Sequence, residues 1–274
     1  MNSVFRLIER PVDPVSAKPS GSLPSFPPAL TYGLTPQDMA LVNAARPNSL
    51  TLEPGESLYF QGDPCRNTYL LQEGWAFQHQ ILEDGRRQIL DFALPGVVSG
   101  LPGSQVLSHS LEALTPCLFS VLAHDRLHEL MRAVPIFGLR LLEAMADAQA
   151  RAFEHLTSVG RRTASERVAH LLQELSTRLQ DQSPSRHRQA WALPLMLPHI
   201  ADALGLTSET VCRVLSAMRK QRILSLRGQW LEVIDERRLS VMAGIHLDVQ
   251  ISARPRPIST RISKPSIHLV QTTH

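Results

Sequence analysis

Cysteine is scarce in this chain: three residues in 274, at positions 65, 117 and 212. They lie far apart and none forms a C-x-x-C pair, which excludes a disulfide-stapled fold and a zinc ribbon and implies a reducing compartment. Long apolar runs are also missing; none approaches the roughly 18 residues that a membrane span needs. The N-terminus has no signal-peptide core, because Val4 to Ile8 is short and runs into Glu9, Arg10 and several prolines. A cytoplasmic location with no membrane partner is therefore expected. No Ser/His/Asp or Cys/His grouping suited to catalysis stands out. Positive charge is lacking in residues 1–159, which net −5, whereas residues 160–242 net +5 and residues 243–274 net +3. A polyanion would therefore meet the second half of the chain.

What is present is clearest from Leu197 to Lys220, LPHIADALGLTSETVCRVLSAMRK, which reads as a helix-turn-helix. Ala201 is small, as the close approach of two crossing helices requires, and Gly205 four residues later can turn with positive φ. Val211 and Val214 face inward, with Leu204 and Leu215 completing a small core. Thr207 is placed to cap the second helix, and Glu209 sits in its first turn, where the helix dipole favours an acid. The outward stripe is Glu209, Cys212, Arg213, Ser216 and Lys220 at helical spacing. Upstream, Ala164 to Leu179 carries Val168, Leu171, Leu172 and Leu175 on one face. Downstream, Ile223 to Leu226 and Trp230 to Ile234 flank Arg227-Gly228-Gln229, a β-hairpin signal that supplies a wing.

In the first half, glycines at 62, 74, 85 and 96 punctuate short apolar runs, the spacing of an antiparallel sandwich or roll. Ala113 to Leu122 supplies a further strand or pair, and Met39, Leu41 and Val42 belong to a short helix before the roll. From Gly138 to Val159 the positions Gly138, Leu142, Met145, Gln149, Ala152, Leu156 and Val159 alternate by four and three, a heptad seam suited to a partner helix. Leu139, Leu141 and Phe153, off that seam, are available to pack on the roll, and Gly160 is a candidate hinge. The fold class is α+β: an antiparallel, jelly-roll-like β-roll, a long dimerisation helix and a winged helix-turn-helix. The expected divisions are a disordered Pro-rich extension (1–30), the β-roll (31–134), the dimerisation helix and hinge (135–160), the winged helix-turn-helix DNA-binding domain (161–242) and a basic disordered tail (243–274).

The segment ETVCRVLSAMRKQRIL resembles the recognition helix and following strand of the Crp/Fnr bacterial transcription regulators, whose pattern is close to ETVSRxLxxLxxxGxI. LYFQGDPCRNTYLLQEGWAFQHQILEDGRRQILDFALPG resembles that family's sensory β-roll, so the likeness spans roughly residues 36–240. It implies a homodimer paired along the long helix, double-stranded DNA as partner, contact with RNA polymerase, and an inverted-repeat target read in successive major grooves. Base contacts carry over to Glu209 and Arg213, with a TGA/TCA half-site core. Arg213 can donate bidentately to guanine and Glu209 can accept from a cytosine amino group. Ser208 stands where many members have Arg or Val, and Cys212 where those reading TTGAT-like sites often have Ser, which leaves the outer base open. Thr207, Ser208, Thr210, Cys212 and Ser216 complete the expected interface, with Lys220, Arg222 and Arg227 as phosphate contacts.

The signal sensed is left unassigned. A cyclic-nucleotide pocket of this family uses Gly-Glu for the ribose and Arg-Ser or Arg-Ala for the phosphate. Here Leu101 follows Gly100, and neither Arg nor Lys occurs between Gln88 and Asp125. A buried phosphate without a cationic donor is expensive. An N-terminal iron–sulfur cluster needs four cysteines, and none precedes Cys65. His79 and His109 are candidate haem ligands, though a single His on a strand is more often structural. Cys65, in a Gly-Asp-Pro turn, is a candidate exposed thiol, and Cys212 reads as a small interface side chain. A β-roll is also compatible with a cupin metalloenzyme, but His79-Gln80-Ile81 lacks the second His of its metal motif. No cofactor, metal or catalytic activity is expected; the alternatives are a cyclic-nucleotide- or haem-dependent regulator of the same fold, or the cupin.

Overall fold

The computed structural model describes residues 26, 28–45, 48–103, 105–182 and 190–245. The extension up to residue 25 and the basic tail from residue 246 lie outside the described residues. The described residues start inside the stretch expected to be an extension. Helix α1 (Pro28–Thr31) buries Leu30, and Phe26 meets Phe137 edge-on at 5.2 Å between ring centroids. Helix α2 (Pro36–Ala44) follows, capped by Thr35 and Asp38 in a reciprocal box.

Eight strands then build the roll: β1 (Asn48–Leu52), β2 (Ser57–Tyr59), β3 (Asn67–Glu73), β4 (Ala76–Ile81), β5 (Arg87–Ala93), β6 (Val98–Ser99), β7 (Ser110–Ala113) and β8 (Cys117–Ala123). They form two antiparallel four-stranded sheets, ordered β1-β8-β3-β6 and β2-β7-β4-β5. Inward residues of both sheets, among them Leu52, Tyr59, Leu71, Leu111 and Phe119, fill the space between them together with Leu107 of the loop before β7. The turn glycines are required by geometry as well as by conformation. Gly74 has φ +90°, and a Cβ there would lie 2.3 Å from the Pro116 carbonyl oxygen.

After α3 (His124–Ala133), Pro135 opens the 27-residue helix α4 (Pro135–Arg161), about 40 Å long. Its inner face packs Phe137 and Leu141 on the roll with Leu70, Leu122, Leu127 and Leu130. Its outer face does not follow the expected seam throughout. A heptad repeat drifts about 20° per seven residues on a straight helix, so by its last position the seam has rotated inward. Val159 is half-buried and points to Gly205, 3.8 Å from where a Cβ would stand. Conversely, Leu139 and Phe153, expected against the roll, are exposed; Leu141 alone of the three packs there. The helix also runs through Gly160 unbroken. The bend falls at Arg162, whose backbone is extended and whose side chain clasps Glu154 at 2.9 Å.

The remaining elements are α5 (Ala164–Gln182), β9 (Ala190–Ala192), α6 (Leu197–Leu204), α7 (Ser208–Lys220), β10 (Leu224–Arg227), β11 (Trp230–Val233) and α8 (Glu236–Met242). Thr163 and Glu166 cap α5 reciprocally. The hairpin β10–β11 gains a third strand, β9, ahead of the helix-turn-helix, with Trp191 beneath it. Val168, Leu171, Leu172 and Leu175 of α5, Ile200 and Leu204 of α6 and Val211 and Val214 of α7 share one core. Trp75, Phe77, Ile89, Phe92 and Leu94 of the roll belong to the same core.

Between the roll, α4 and α5 lies a largely buried ionic cluster. His155 Nε2 meets Glu174 at 2.6 Å, and its Nδ1 donates to the Leu90 carbonyl at 3.0 Å. Burial alone would lower the His155 pKa, but the hydrogen bond and charge of Glu174 outweigh it and lift it to about 9. His155 titrates near 6.5 in an unfolded chain, so its contribution to stability is complete below that pH and is lost as the pH climbs toward 9. Against its burial, His155 and Arg178 hold the Glu174 carboxyl far below the usual carboxylate range, so its contribution is complete above pH 4.5 and is lost as the pH falls toward 2. Thermal unfolding should therefore show a Tm that falls from pH 6.5 to 9, and Glu174→Gln should flatten that fall.

Helix α7 ends in a Schellman arrangement: the Ile223 N–H donates to Met218 O at 3.0 Å and the Arg222 N–H to Arg219 O at 3.1 Å. Arg222 occupies the left-handed position at φ +56°, where the resembled pattern places glycine. A side chain there costs about 1–2 kcal/mol. Arg222→Gly is expected to raise the free energy of urea unfolding by about 1 kcal/mol, whereas Gly205→Ala, at φ +61°, should lower it by a similar amount; equilibrium unfolding curves of both variants check this.

Candidate nucleic-acid interface

The helix-turn-helix is built from α6 and α7 with Gly205 left-handed between them at φ +61°, ψ +40°. Ala201 and Leu204 are buried on the first helix, and Val211, Val214, Leu215 and Met218 on the second. Thr207 caps α7, its hydroxyl accepting from the Thr210 N–H at 3.2 Å. The opposite face of α7 carries Glu209, Cys212, Arg213 and Lys220 in the open, with Ser208, Thr210 and Ser216 half-exposed beside them. Thr210 holds the stripe together: its hydroxyl meets that of Thr207 at 3.0 Å and accepts from Arg213 at 3.3 Å. The Arg213 guanidinium is thus steered along its own helix without being neutralised.

Ion pairing separates the arginines into two sets. Arg87, Arg140, Arg151, Arg162 and Arg178 each meet a carboxylate. Among the described residues Arg66, Arg132, Arg161, Arg167 and Arg238 have no acidic partner, and neither do Arg213, Arg219, Lys220, Arg222, Arg227 and Arg237. Those last six cations lie between residues 213 and 237, on α7, the wing and the start of α8.

Residues that sequence reasoning missed hold this surface in place. Arg167 donates to the Arg162 carbonyl at 2.9 Å and the Leu204 carbonyl at 3.0 Å, tying the end of α4 to the end of α6. Arg238 donates to the Gln221 carbonyl at 2.9 Å and closes the end of α7. A basic side chain suits a helix C-terminus, but which carbonyl an arginine reaches is set by packing, and no local pattern reveals it. Arg219 was also missed, although its place in the last turn of α7 signals it.

On the roll, the loop after β6 starts at Gly100, where a Cβ would lie 2.4 Å from the Asn67 carbonyl oxygen. Leu107 is buried in the roll core beside Tyr59 and Cys65. His109 has both ring nitrogens engaged, Nε2 with the Tyr59 hydroxyl at 3.0 Å and Nδ1 with Ser108 at 3.1 Å. Apolar and aromatic side chains, among them Tyr59, Leu107 and Phe119, fill the roll core among the described residues. His79 is buried against Phe77, whose other neighbours are His199 and Arg87. Its Nδ1 has no hydrogen-bond partner among the described residues, and burial lowers its pKa. Cys65, considered as an exposed thiol, is buried, with its Sγ 3.6 Å from the Leu101 carbonyl and its pKa raised by that burial. The Gly-Asp-Pro turn that suggested exposure folds back on residues 105–107. Cys212 is exposed on α7.

Among the described residues no cluster of three or more His, Cys, Asp or Glu could hold a metal ion, and no helix is long and apolar enough to cross a membrane. Residues 166–242 match the Crp-like helix-turn-helix domain and residues 49–134 the cyclic nucleotide-binding domain. The chain is 34% identical over 177 residues to the nitrogen fixation regulation protein FixK of Rhizobium meliloti, covering 65% of this chain and 78% of that one. It is 33% identical over 182 residues to the transcriptional activator protein FnrL of Cereibacter sphaeroides, covering 65% and 72%. The structure of FixK2 from Bradyrhizobium japonicum superposes with a TM-score of 0.64 at 28% identity, covering 72% of this chain and 96% of that one. With the free cationic face of α7 and the wing behind it, these likenesses place the chain in the Crp/Fnr family of DNA-binding transcription regulators.

Proposed function

We propose that the protein binds an inverted-repeat operator as a homodimer paired along α4 and activates transcription by contact with RNA polymerase. Activation is supported by relatives that are named activators. The observation that carries the reading is the outward stripe of α7, exposed and cationic, with Glu209 and Arg213 one turn apart. Placed in a major groove, Arg213 donates to guanine O6 and N7 and Glu209 accepts from a cytosine amino group, which suits a TGA/TCA core. Ser208, Cys212 and Ser216 border the same base edges. Lys220, Arg222 and Arg227 reach phosphates and set affinity without sequence preference.

Pairing is supported by α4. Leu142, Phe153 and Leu156 are 61%, 60% and 71% exposed, and with Leu139 and Met145 they form one apolar strip. Single exposed apolar residues need no explanation, but a strip at heptad spacing does. Seam residues Gln149 and Ala152 lie exposed on the same side. A two-fold pairing there presents two α7 helices to major grooves about 34–36 Å apart.

In this reading the roll takes neither cyclic nucleotide nor haem, since Leu107 fills its interior, both nitrogens of His109 are engaged and His79 turns to Phe77 at the joint with the helix-turn-helix, and the protein catalyses no reaction. The location follows as the cytoplasm, where the DNA is.

Gel-shift titrations on an inverted repeat selected from a random pool test the assignment. Arg213→Ala should cost about 1–3 kcal/mol on the selected site and relax discrimination at one base pair. Lys220→Ala should weaken all sequences alike and lower the salt slope by about one unit per protomer. An equal loss on every sequence for Arg213→Ala would refute its role. Introducing Leu142→Glu with Leu156→Glu should shift the protein to monomer in sedimentation equilibrium.

A further inference from the structure

We infer that the sensory roll itself holds the DNA-binding domain in its DNA-competent setting, through the edge strand β5, and that Asp91 and Arg178 are the positioning residues of that contact. This rests on the proposed homodimer on an inverted repeat.

Strand β5 is the last of its sheet, with β4 on one side. An edge strand leaves carbonyls that need donors. Here the donors come from the other half of the molecule. The Leu90 carbonyl accepts from His155 of α4 at 3.0 Å, and the Phe92 carbonyl accepts from Arg178 of α5 at 2.8 Å. Between them the Asp91 carboxylate accepts from Arg178 at 3.1 Å on one oxygen and from Arg151 at 3.2 Å on the other. Arg178 also meets Glu174 at 3.1 Å. Further along the strand, Arg87 pairs with Asp202 of α6 at 2.9 Å, and the Gln88 amide donates to the Ala203 carbonyl at 3.1 Å.

Beneath this row, roll residues Phe77, Ile89 and Phe92 lie in the same core as the helix-turn-helix. The seam leaves a cavity of only about 10 Å³, too small for a ligand. The carbonyls and carboxylate of the row are thus satisfied by the chain itself. The row does not block DNA either, because Glu209, Cys212, Arg213 and Lys220 stay exposed while β5 is engaged. Engagement therefore fixes orientation without hiding the reading face. A homodimer on two half-sites needs both reading helices at one spacing, so a domain held in place beforehand avoids the ordering cost of binding. A single half-site makes no such demand.

The test uses the full-length protein with no added small molecule, titrated by fluorescence anisotropy. The probes are the inverted repeat that the wild type selects and the same duplex with one arm scrambled. Asp91→Asn and Arg178→Gln should bind the inverted repeat at least tenfold more weakly while changing by less than threefold on the scrambled-arm duplex, and Arg178→Lys should recover part of the loss. If Arg178→Gln fails to fold by circular dichroism, Arg87→Gln breaks the row at its other end and should give the same split. Unchanged affinity for the inverted repeat, a parallel loss on both duplexes, or tighter binding would each overturn the inference. The two readings separate in the wild type: if it selects no inverted repeat, the operator reading falls and takes this one with it.

Discussion

One strand governs how the two halves of this molecule relate. β5 is the free edge of a sheet in the roll, and an edge with open carbonyls is unstable until something covers it. The cover here is the DNA-binding domain. Two basic side chains satisfy the Leu90 and Phe92 carbonyls, Asp91 sits between two arginines, and aromatic residues of the roll share a core with α5, α6 and α7. Charges taken this far from water are costly to unpair, so the joint resists partial loosening. The rest of the architecture is referred to it: the bend at Arg162, the reach of Arg167 from that bend to the end of α6, and through Gly205 the direction in which α7 leaves the protein.

The long helix answers to two demands at once. Its inner face must fit the roll near its start and the DNA-binding domain near its end, and its outer face must stay apolar along its length. A straight helix cannot satisfy a strict seven-residue repeat across three heptads, so the outer strip uses two overlapping series that share Leu142, Gln149 and Leu156. One series adds Met145 and Ala152, the other Leu139, Ala146 and Phe153. The strip is therefore broad.

The helix-turn-helix was legible because its constraints are local. A small residue, a glycine and two β-branched residues at fixed offsets leave few other structures, and Thr207 marks the start of α7. The roll was legible through glycines that only a turn explains. What escaped was non-local. Strand β9 is three residues long and exists because it finds β11; nothing in Ala190-Trp191-Ala192 requires it. Val159 belongs to the heptad series on paper, but its direction depends on cumulative helical phase. Gly160 looked like a hinge because glycine is permissive, yet permission does not force a bend, and the helix passed through. The turn around Cys65 promised exposure because polar turns usually face water, while backbone bonds to residues 105 and 107 bury it. Of the reading face, the stripe on α7 could be named in advance, whereas its supports Arg167 and Arg238 could not, since each acts on a carbonyl remote in sequence.

Gln149 stands near the middle of the broad apolar strip on α4, an amide flanked by leucine, alanine and phenylalanine positions. In a two-fold parallel pair it falls opposite its own copy, where the two amides can bond each other; any slip by a turn would strand each against hydrocarbon. In the proposed homodimer the lone amide would favour pairing in register with its own copy over a slipped or mismatched helix.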